Sequence, residues 1–490
     1  MRNLWLLVTM GLLLFCLACG SSSSGNTPVG VGSGSFSKAS LQGNYVYQIS
    51  GTDLSTGAPY REAGVFTADG NGNLTNGVDD FEEGTSGVSP SSINGTYSVN
   101  TDGTGGLIFN IAGGSLNFSI TLANASAGYV MEADSFANGS GTIERQGAAA
   151  AGSTPAGTFA FRMHTIAGAG SASMAGVVTV SGGGITGSDD VERGGVLDNS
   201  TGAPLTLTGS LSSPDSLGRG TGSIADSAGV STGFVYYIVD SNHFRMLSHD
   251  VGIIGLGLAE KRSGPFSTSS LSGGYAFGSS GDDNTYLGGV VTAGRFTADG
   301  TGTISNGLYD SVQDGNATGE LRFTGNYSIG SNGRAVLTLN LSGGSAQQIF
   351  WLVSPSRAYF LTNDSTKVED GTADRQTGTF SAATLNGQYA FVMDGFDLNN
   401  LVFVDRVGWI QWMGNGSLNW NEVVNDSGTF QQPPLLSGTY SVQPNGRAAA
   451  TVDNLSVTTG DLVFYLISGN SGYAVQSDPG VEIRGNMNKQ

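Results

Sequence analysis

Short apolar runs alternate along the chain with segments of Gly, Asn, Asp and Ser, and helix signals are almost absent. Within the runs, apolar and polar residues alternate, which is typical of half-buried antiparallel strands joined by tight turns. In the first part of the chain this pattern predicts eight strands, at 44–49, 61–68, 73–81, 92–99, 106–111, 116–122, 128–133 and 141–145.

The whole pattern then repeats. An apolar residue followed by Gly, any residue and an aromatic residue occurs four times, at steps of 114, 116 and 114 residues. The glycines of this landmark are Gly43, Gly157, Gly273 and Gly387. An Asp that closes an aromatic-rich run recurs at steps of 116, 114 and 114, as Asp134, Asp250, Asp364 and Asp478. Two landmarks in one register indicate duplicated domains, which we place at 38–147, 153–263, 266–376 and 379–486.

A third landmark lies about halfway along each unit and contains Tyr97, Leu211, Tyr327 and Tyr440. Eight antiparallel strands per unit of about 114 residues favour an up-and-down barrel, so we predict an all-β protein of four eight-stranded meander barrels. Two alternatives stay open: a β-sandwich in each unit, or one eight-bladed propeller with two blades per unit.

The N-terminus predicts export. Arg2 precedes an apolar run at 4–17 that is too short to span a membrane, which is typical of a cleaved signal peptide, here 1–18. The end of this run, Leu17-Ala18-Cys19, resembles the lipobox of bacterial lipoproteins. The resemblance implies that Cys19 is diacylated and becomes the first mature residue. It also implies a membrane partner through this lipid, and Gly20 after the Cys favours the outer membrane or cell surface.

The residues at 19–37 follow as a flexible tether, because their Ser- and Gly-rich composition cannot bury a core. Cys16 leaves with the signal peptide, so the mature chain has no disulfide. A formal net charge of −19 makes nucleic acid an unfavourable partner. No residue pattern calls for a cofactor.

Two acidic patterns invite a chemical interpretation. Asp69, Asn71 and Asn73 have the spacing of calcium ligands, but Leu74 stands where such a loop needs Gly, so a hairpin turn is the better interpretation. The fourfold Asp at 134, 250, 364 and 478 is predicted to be structural. Such a carboxylate at a strand end can accept backbone N–H bonds of the following turn or pair with a basic residue of the next strand.

Candidate catalytic residues are few. The histidines His164, His243 and His249 all lie in the second unit and are interpreted as isolated surface or turn residues. An acidic stretch could supply the two carboxylates of a glycosidase, but we interpret it as a solvated strand edge that discourages aggregation. Its residues are Asp79, Asp80, Glu82 and Glu83.

Trp409, Trp412 and Trp420 flank one hairpin turn of the fourth unit. They form a sugar-binding platform if they face outward and a core if they face inward. The sequence as a whole predicts a non-catalytic lipoprotein of the cell envelope, a binding or structural and adhesive module whose partner is a glycan, a small apolar ligand or a protein. Two alternatives are a carboxylate-dependent hydrolase acting on glycans and barrels that carry a small ligand inside. A cleft lined by two carboxylates with raised pKa would favour the hydrolase.

Overall fold

The computed structural model describes residues 35–84, 86–147, 152–168, 170–199, 202–284, 288–455 and 460–490. The predicted signal peptide, the predicted lipidation site at Cys19 and nearly all of the predicted tether lie outside these residues. No helix in the described part has the length and hydrophobicity needed to cross a membrane.

Barrel 1 follows the alternation of its sequence closely. Its strands are β1 (Gln42–Asp53), β2 (Pro59–Asp69), β3 (Asn73–Glu83), β4 (Ser89–Val99), β5 (Thr104–Ile111), β6 (Gly114–Asn124), β7 (Ala127–Glu132) and β8 (Ala137–Arg145). Each strand pairs antiparallel with the next, and β1 pairs with β8 to close the sheet.

Barrel 2 has the same order with one additional short strand, β12, paired to the end of β11. Its strands are β9 (Gly157–Ala167), β10 (Gly170–Ser181), β11 (Gly184–Arg193), β12 (Val196–Leu197), β13 (Leu205–Leu211), β14 (Arg219–Asp226), β15 (Ser231–Ile238), β16 (His243–Ser248) and β17 (Ile253–Lys261). Pairing of β17 with β9 and of β10 with β11 completes the closed ring of strands.

Barrels 3 and 4 repeat these two forms. Barrel 3 consists of β18 (Ser272–Asp283), β19 (Gly289–Asp299), β20 (Thr303–Gln313), β21 (Asn316–Ile329), β22 (Arg334–Leu341), β23 (Gly344–Ser354), β24 (Arg357–Asn363) and β25 (Lys367–Arg375). Barrel 4 consists of β26 (Asn386–Asp397), β27 (Val402–Met413), β28 (Ser417–Asp426), β29 (Thr429–Gln431), β30 (Leu436–Val442), β31 (Arg447–Val452), β32 (Asp461–Ser468), β33 (Ser471–Gln476) and β34 (Val481–Lys489). The prediction of four eight-stranded meander barrels is confirmed, and the sandwich and propeller alternatives are wrong.

Local chemistry explains the first repeated landmark. Gly43, Gly157, Gly273 and Gly387 all have φ between 103° and 113°, a conformation that favours glycine. A Cβ at each would also lie 3.1 to 3.4 Å from the basic side chain that ends the last strand of the same barrel. Glycine therefore recurs here because the backbone has a positive φ and lies close to that basic side chain.

The third landmark fixes a short 3-10 turn across one end of a barrel. Tyr97 donates its hydroxyl to the carbonyl oxygens of Lys38 and Leu41, at 2.9 and 2.8 Å. Lys38 is the first residue of the turn Lys38–Ser40 and Leu41 is the residue after it. Tyr327 and Tyr440 make the same contacts with the turns Thr268–Ser270 and Ala382–Thr384. In barrel 2 the position is Leu211, and no such turn precedes that barrel in the described residues.

Alternate residues of every strand point into the barrel and fill it with apolar side chains. In barrel 1 the rings of Tyr47, Phe66 and Phe109 meet near the centre, with centroids 5.4 to 6.1 Å apart. Eight strands leave an interior about wide enough for side chains. The alternative of a ligand inside each barrel is therefore wrong, because the lumen is occupied by a core.

The outward-facing residues bring the four barrels into a ring. Apolar clusters join barrel 1 to barrel 2, barrel 2 to barrel 3 and barrel 3 to barrel 4. A further cluster joins barrel 4 back to barrel 1 and includes Tyr129, Met131 and Val392. The repeats thus form a closed, pseudo-fourfold arrangement with a central axis.

Candidate functional site

A buried ion pair recurs at three of the four interfaces in the described part of the chain. Asp80 of barrel 1 accepts hydrogen bonds from Nε and Nη2 of Arg219 of barrel 2, at 2.6 and 2.8 Å, and another from the hydroxyl of Tyr237. The equivalent sets are Asp190 with Arg334 and Trp351, and Asp310 with Arg447 and Tyr465. Bidentate Arg–carboxylate pairs fix geometry as well as adding energy, so these contacts set how neighbouring barrels lie against each other.

The interface that closes the ring is built differently. In the strand register Val423 takes the position of the Asp and Thr104 that of the Arg. Side-chain amides replace the ion pair: Asn425 donates to two backbone carbonyls of barrel 1, both at 3.0 Å, and Asn138 donates to Asp405 at 3.0 Å.

One contact is common to all four interfaces. The residue just beyond the last strand of each barrel donates from its side chain to two backbone carbonyls of the next barrel, at 2.6 to 3.1 Å. These residues are Gln146, Arg262, Gln376 and Gln490. Their spacing equals that of the fourfold Asp, so the sequence contained this signal without indicating its role.

A cavity of about 660 Å³ lies on the central axis between the barrels. All four barrels contribute to it, mainly through outward-facing residues of their first, second and last strands. Its charged lining consists of Arg61, Arg162, His164, Arg245, Asp282, Asp370, Asp394, Asp405, Glu482 and Arg484. Concave sites of this size with a few convergent polar groups are the usual binding sites for small molecules.

Barrels 2 and 3 share one cluster of these charges. Asp370 pairs with Arg162, accepts a hydrogen bond from Ser173 at 3.0 Å, and lies 3.2 Å from Nδ1 of His164. Burial alone would raise the pKa of Asp370, but Arg162 and His164 hold it well below its usual range. Burial likewise opposes the charge of His164, yet the nearby carboxylates of Asp282 and Asp370 raise its pKa to about 9. His164 is therefore a protonated interface residue at neutral pH, and its prediction as an isolated surface or turn histidine is wrong.

The other two histidines lie at the two ends of β16: His243 is its first residue and His249 follows its last. His243 is partly buried, with Nδ1 3.1 Å from Asp240 and Nε2 3.5 Å from Glu144 of barrel 1. It too is not isolated, since it belongs to the interface between barrels 1 and 2.

Barrel 4 presents a pair of carboxylates to the cavity. Asp394 and Asp405 are cross-strand partners on β26 and β27. Arg484 binds Asp394, with Nε 3.1 Å from Oδ2, and also donates to Ser280 of barrel 3. Burial and the neighbouring charge of Asp394 raise the pKa of Asp405 to about 7. One carboxyl of this pair is thus partly protonated at neutral pH while its neighbour is held by a guanidinium.

Glu482 also lines the cavity and connects barrels 4 and 3. Its two carboxylate oxygens accept the backbone N–H groups of Gly289 and Gly315 at 2.8 and 2.7 Å. Burial raises its pKa. Both oxygens accept backbone N–H groups of barrel 3, so this side chain holds barrels 3 and 4 together.

Arg61 differs from the other arginines of the cavity. Among the described residues it has no carboxylate within 4 Å, and only its Nη1 makes hydrogen bonds, to the carbonyl oxygens of Tyr60 at 2.7 Å and Gly51 at 3.5 Å. Burial lowers its pKa to about 10, which leaves the guanidinium protonated at neutral pH. Within the described part of the chain, its remaining N–H donors have no hydrogen-bond partner.

The three tryptophans do not form an outward platform, and two of them follow the alternative of a core. Trp412 and Trp420 are fully buried inside barrel 4, where the rings of Trp420 and Phe391 pack in a tilted arrangement with centroids 4.2 Å apart. Trp409 faces the other side of β27 and donates from Nε1 to Asp102 of barrel 1 at 3.0 Å. Because successive residues of a strand face opposite sides, two rings belong to the core and the third to the ring-closing interface.

The acidic stretch is not a solvated strand edge. Asp79, Asp80 and Glu82 are buried, since β3 faces the barrel core on one side and barrel 2 on the other. Asp79 accepts a hydrogen bond from Tyr47 at 2.8 Å inside the barrel. Asp80 is held by Arg219, so the stretch offers no open pair of catalytic carboxylates.

The fourfold Asp residues all bind backbone N–H groups. Three of them reach back to an earlier strand: Asp134 binds Asn117 at 2.8 Å, Asp250 binds Gly233 at 2.7 Å and Asp478 binds Asp461 at 3.1 Å. Asp364 instead binds Thr366 in the following turn at 3.0 Å.

Asp69 closes a hairpin turn. Its carboxylate accepts the backbone N–H groups of Asn71, Gly72 and Asn73, which lowers its pKa to about 2. Within the part of the chain that the structure describes, no set of three or more His, Cys, Asp or Glu side chains is placed to hold a metal ion.

No protein-family model matches the chain, and no curated protein does. Among solved structures, the chain is similar to the crystal structure of a vaccine antigen, a double mutant of transferrin binding protein B from Haemophilus parasuis. The similarity covers 74% of this chain and 82% of that chain, at 9% sequence identity and a TM-score of 0.17. A likeness this weak supports no functional conclusion.

Proposed function

We propose that this protein is a non-catalytic, lipid-anchored binding protein of the cell envelope that holds a small ligand in its central cavity. One observation carries the proposal: four barrels with filled interiors converge on a shared cavity of about 660 Å³ that no single barrel forms. That volume lies within the roughly 300–1,000 Å³ of typical ligand sites.

The anchor rests on the lipobox-like Leu17-Ala18-Cys19 and the short apolar run before it. We expect Cys19→Ala to move the protein from the membrane fraction to the soluble fraction and to remove the acyl mass from its N-terminal peptide. Cys16→Ala is the matched control, because Cys16 leaves with the signal peptide and its loss leaves anchoring unchanged. Membrane association of Cys19→Ala would contradict the lipid anchor.

The cavity is tested by equilibrium dialysis of the protein against a defined mixture of free sugars, amino acids, nucleosides, carboxylates and amines. Compounds retained by the protein are identified by mass spectrometry. Ile166 lines the cavity, so Ile166→Trp should fill part of it and abolish retention. Val196 is 60% exposed on β12, so Val196→Trp should retain the same compounds as the wild type. Retention of nothing by the wild type, or unchanged retention by Ile166→Trp, would overturn the proposed site.

A glycan hydrolase is the second candidate, and Asp394 with Asp405 is the observation that favours it. Two carboxyl groups with differing protonation are what acid–base cleavage of a glycosidic bond requires. Binding is preferred because Asp394 is bound by Arg484, Asp405 by Asn138, and Glu482 by two backbone N–H groups. Cleavage of a disaccharide by the wild type, followed by NMR and lost in Asp405→Asn, would establish the hydrolase instead.

A further inference from the structure

The charges around the cavity nearly cancel, although the chain as a whole has a formal net charge of −19. Four arginines and a protonated His164 face five carboxylates across the same space. A bound anion would be attracted by the arginines but repelled by the carboxylates, and a bound cation would be attracted by the carboxylates but repelled by the arginines. Such a lining favours a ligand without net charge.

Most of these charges already satisfy each other. Arg162 binds Asp370 and Arg484 binds Asp394, each inside the cavity wall. Arg61 is the exception, since the described residues give it backbone carbonyls but no carboxylate within 4 Å. The carboxylates of Asp282 and Asp394 favour the charged form of Arg61, while the guanidinium of Arg484 opposes it.

Asp282 supplies the complementary group. Its Oδ2 lies 3.4 Å from Nε2 of His164 but is buried without a hydrogen bond of good geometry. The cavity thus offers free guanidinium donors and a carboxylate acceptor that is incompletely satisfied. A hydroxyl group both donates and accepts, so neighbouring hydroxyls on one ligand satisfy both residues without adding charge.

An apolar surface lies beside these polar groups. Phe396 and Phe403, whose rings meet edge to face at 4.9 Å, are partly exposed and line the same cavity. Aromatic side chains with a few polar partners are the usual means of orienting a ligand that is apolar on one face and polar on its edge. The C–H face and hydroxylated edge of a sugar ring have this character.

We propose that the central cavity binds a neutral, polyhydroxylated ligand of the mono- or disaccharide class, held by Arg61 and Asp282 and packed against Phe396 and Phe403. This inference rests on the proposed function, because it names the ligand class of that same cavity. It adds two claims, that the ligand has no net charge and that Arg61 is its main hydrogen-bonding residue. Either claim can be wrong while the cavity remains a binding site.

The test is isothermal titration with neutral sugars, namely glucose, galactose, mannose, maltose and trehalose, followed by the uronate and the amino sugar of whichever ring binds. We expect at least one neutral sugar to bind and its two charged analogues to bind at least about tenfold more weakly. Arg61→Met keeps the length of the side chain and should weaken binding at least tenfold. Arg193→Met is the control, because Arg193 pairs with Asp198 at 2.7 Å outside the cavity and should leave binding unchanged.

The ligand class is overturned if the tightest binder is a charged analogue, if no neutral sugar binds, or if Arg61→Met binds as the wild type does. Retention of an amino acid or carboxylate that is lost in Ile166→Trp would refute the sugar while leaving the cavity as the binding site. Thermal melting of Arg61→Met separates loss of binding from loss of folding, since no described residue forms an ion pair with Arg61 whose removal would leave a buried charge uncompensated.

Discussion

The three interfaces between consecutive barrels and the interface that closes the ring solve the same problem with different chemistry. The first three each bury a carboxylate against a bidentate arginine and the polar atom of an aromatic side chain. The ring-closing interface has Val423 and Thr104 at the equivalent positions and relies on apolar contacts and amides. Duplication therefore preserved the barrel, the direction of docking and the side-chain contact at the end of each last strand, but the ring-closing interface lacks the ion pair of the other three.

The difference is physically reasonable. Burying two charges costs desolvation, which their attraction offsets only when geometry is good, so replacing the whole pair by apolar residues is often neutral. Removing only one partner is costly because it leaves a buried charge without compensation. The two kinds of interface can thus be equally stable, although removing one charged side chain destabilises an interface that has the ion pair and adding one charged side chain destabilises the interface that lacks it.

The largest expected effect is at Asp80. Asp80→Val leaves Arg219 without its carboxylate and should lower the free energy of unfolding by about 3–5 kcal/mol. Adding Arg219→Thr reproduces the residues of the ring-closing interface and should recover most of that loss. Urea denaturation measures both variants. Asp198→Ala, which breaks a partly exposed pair with Arg193, should cost under about 1 kcal/mol. Equal losses in the single and double variants would show that the ion pair itself is indispensable.

The second effect is a loss of folding stability with pH, which should fall in a different pH range for each of two interfaces. His164 has a pKa raised from 6.5 to about 9, so its contribution is complete below pH 6.5 and is lost as pH rises through 9. Asp405, at the ring-closing interface, has a pKa raised from 3.8 to about 7, so its contribution is lost as pH rises from 3.8 through 7.

We expect His164 to contribute a decline in stability of up to roughly 3 kcal/mol in the upper range and Asp405 one of up to roughly 4 kcal/mol in the lower range. Thermal melting against pH should lose the upper decline in His164→Gln and the lower one in Asp405→Asn. If either variant retains both declines, the titrating group at that interface has been assigned incorrectly.

The smallest effect is the gain of an ion pair where the ring closes. Val423→Asp alone should destabilise the protein, because the new carboxylate is buried without a partner. Thr104→Arg supplies that partner, and a double-mutant cycle should give a coupling energy of about 1 kcal/mol. A coupling of zero would mean that the backbones of barrels 4 and 1 are too far apart for the pair that the other interfaces make.

The strands of barrel 1 could be predicted because alternation and turn residues are local signals. All eight predicted strands occur, and the main differences are at their ends: β1 continues to Asp53 and β2 begins at Pro59. These hairpin residues lie beyond the alternating apolar positions. The faces of the tryptophans could not be assigned, because a shift of one residue in register exchanges the two sides of a strand.

The sequence by itself determined the strand pattern, the number of repeats and the landmark glycines, since each depends on residues close together in the chain. Only the tertiary structure decided that the barrels form a ring and that Arg61, Arg162, Asp282 and Asp405 share a cavity. These residues come from four different barrels, and no local pattern relates their positions. The physical reason is that barrel formation is driven by alternating burial within a unit, whereas the cavity results from how the outer faces of separate units dock.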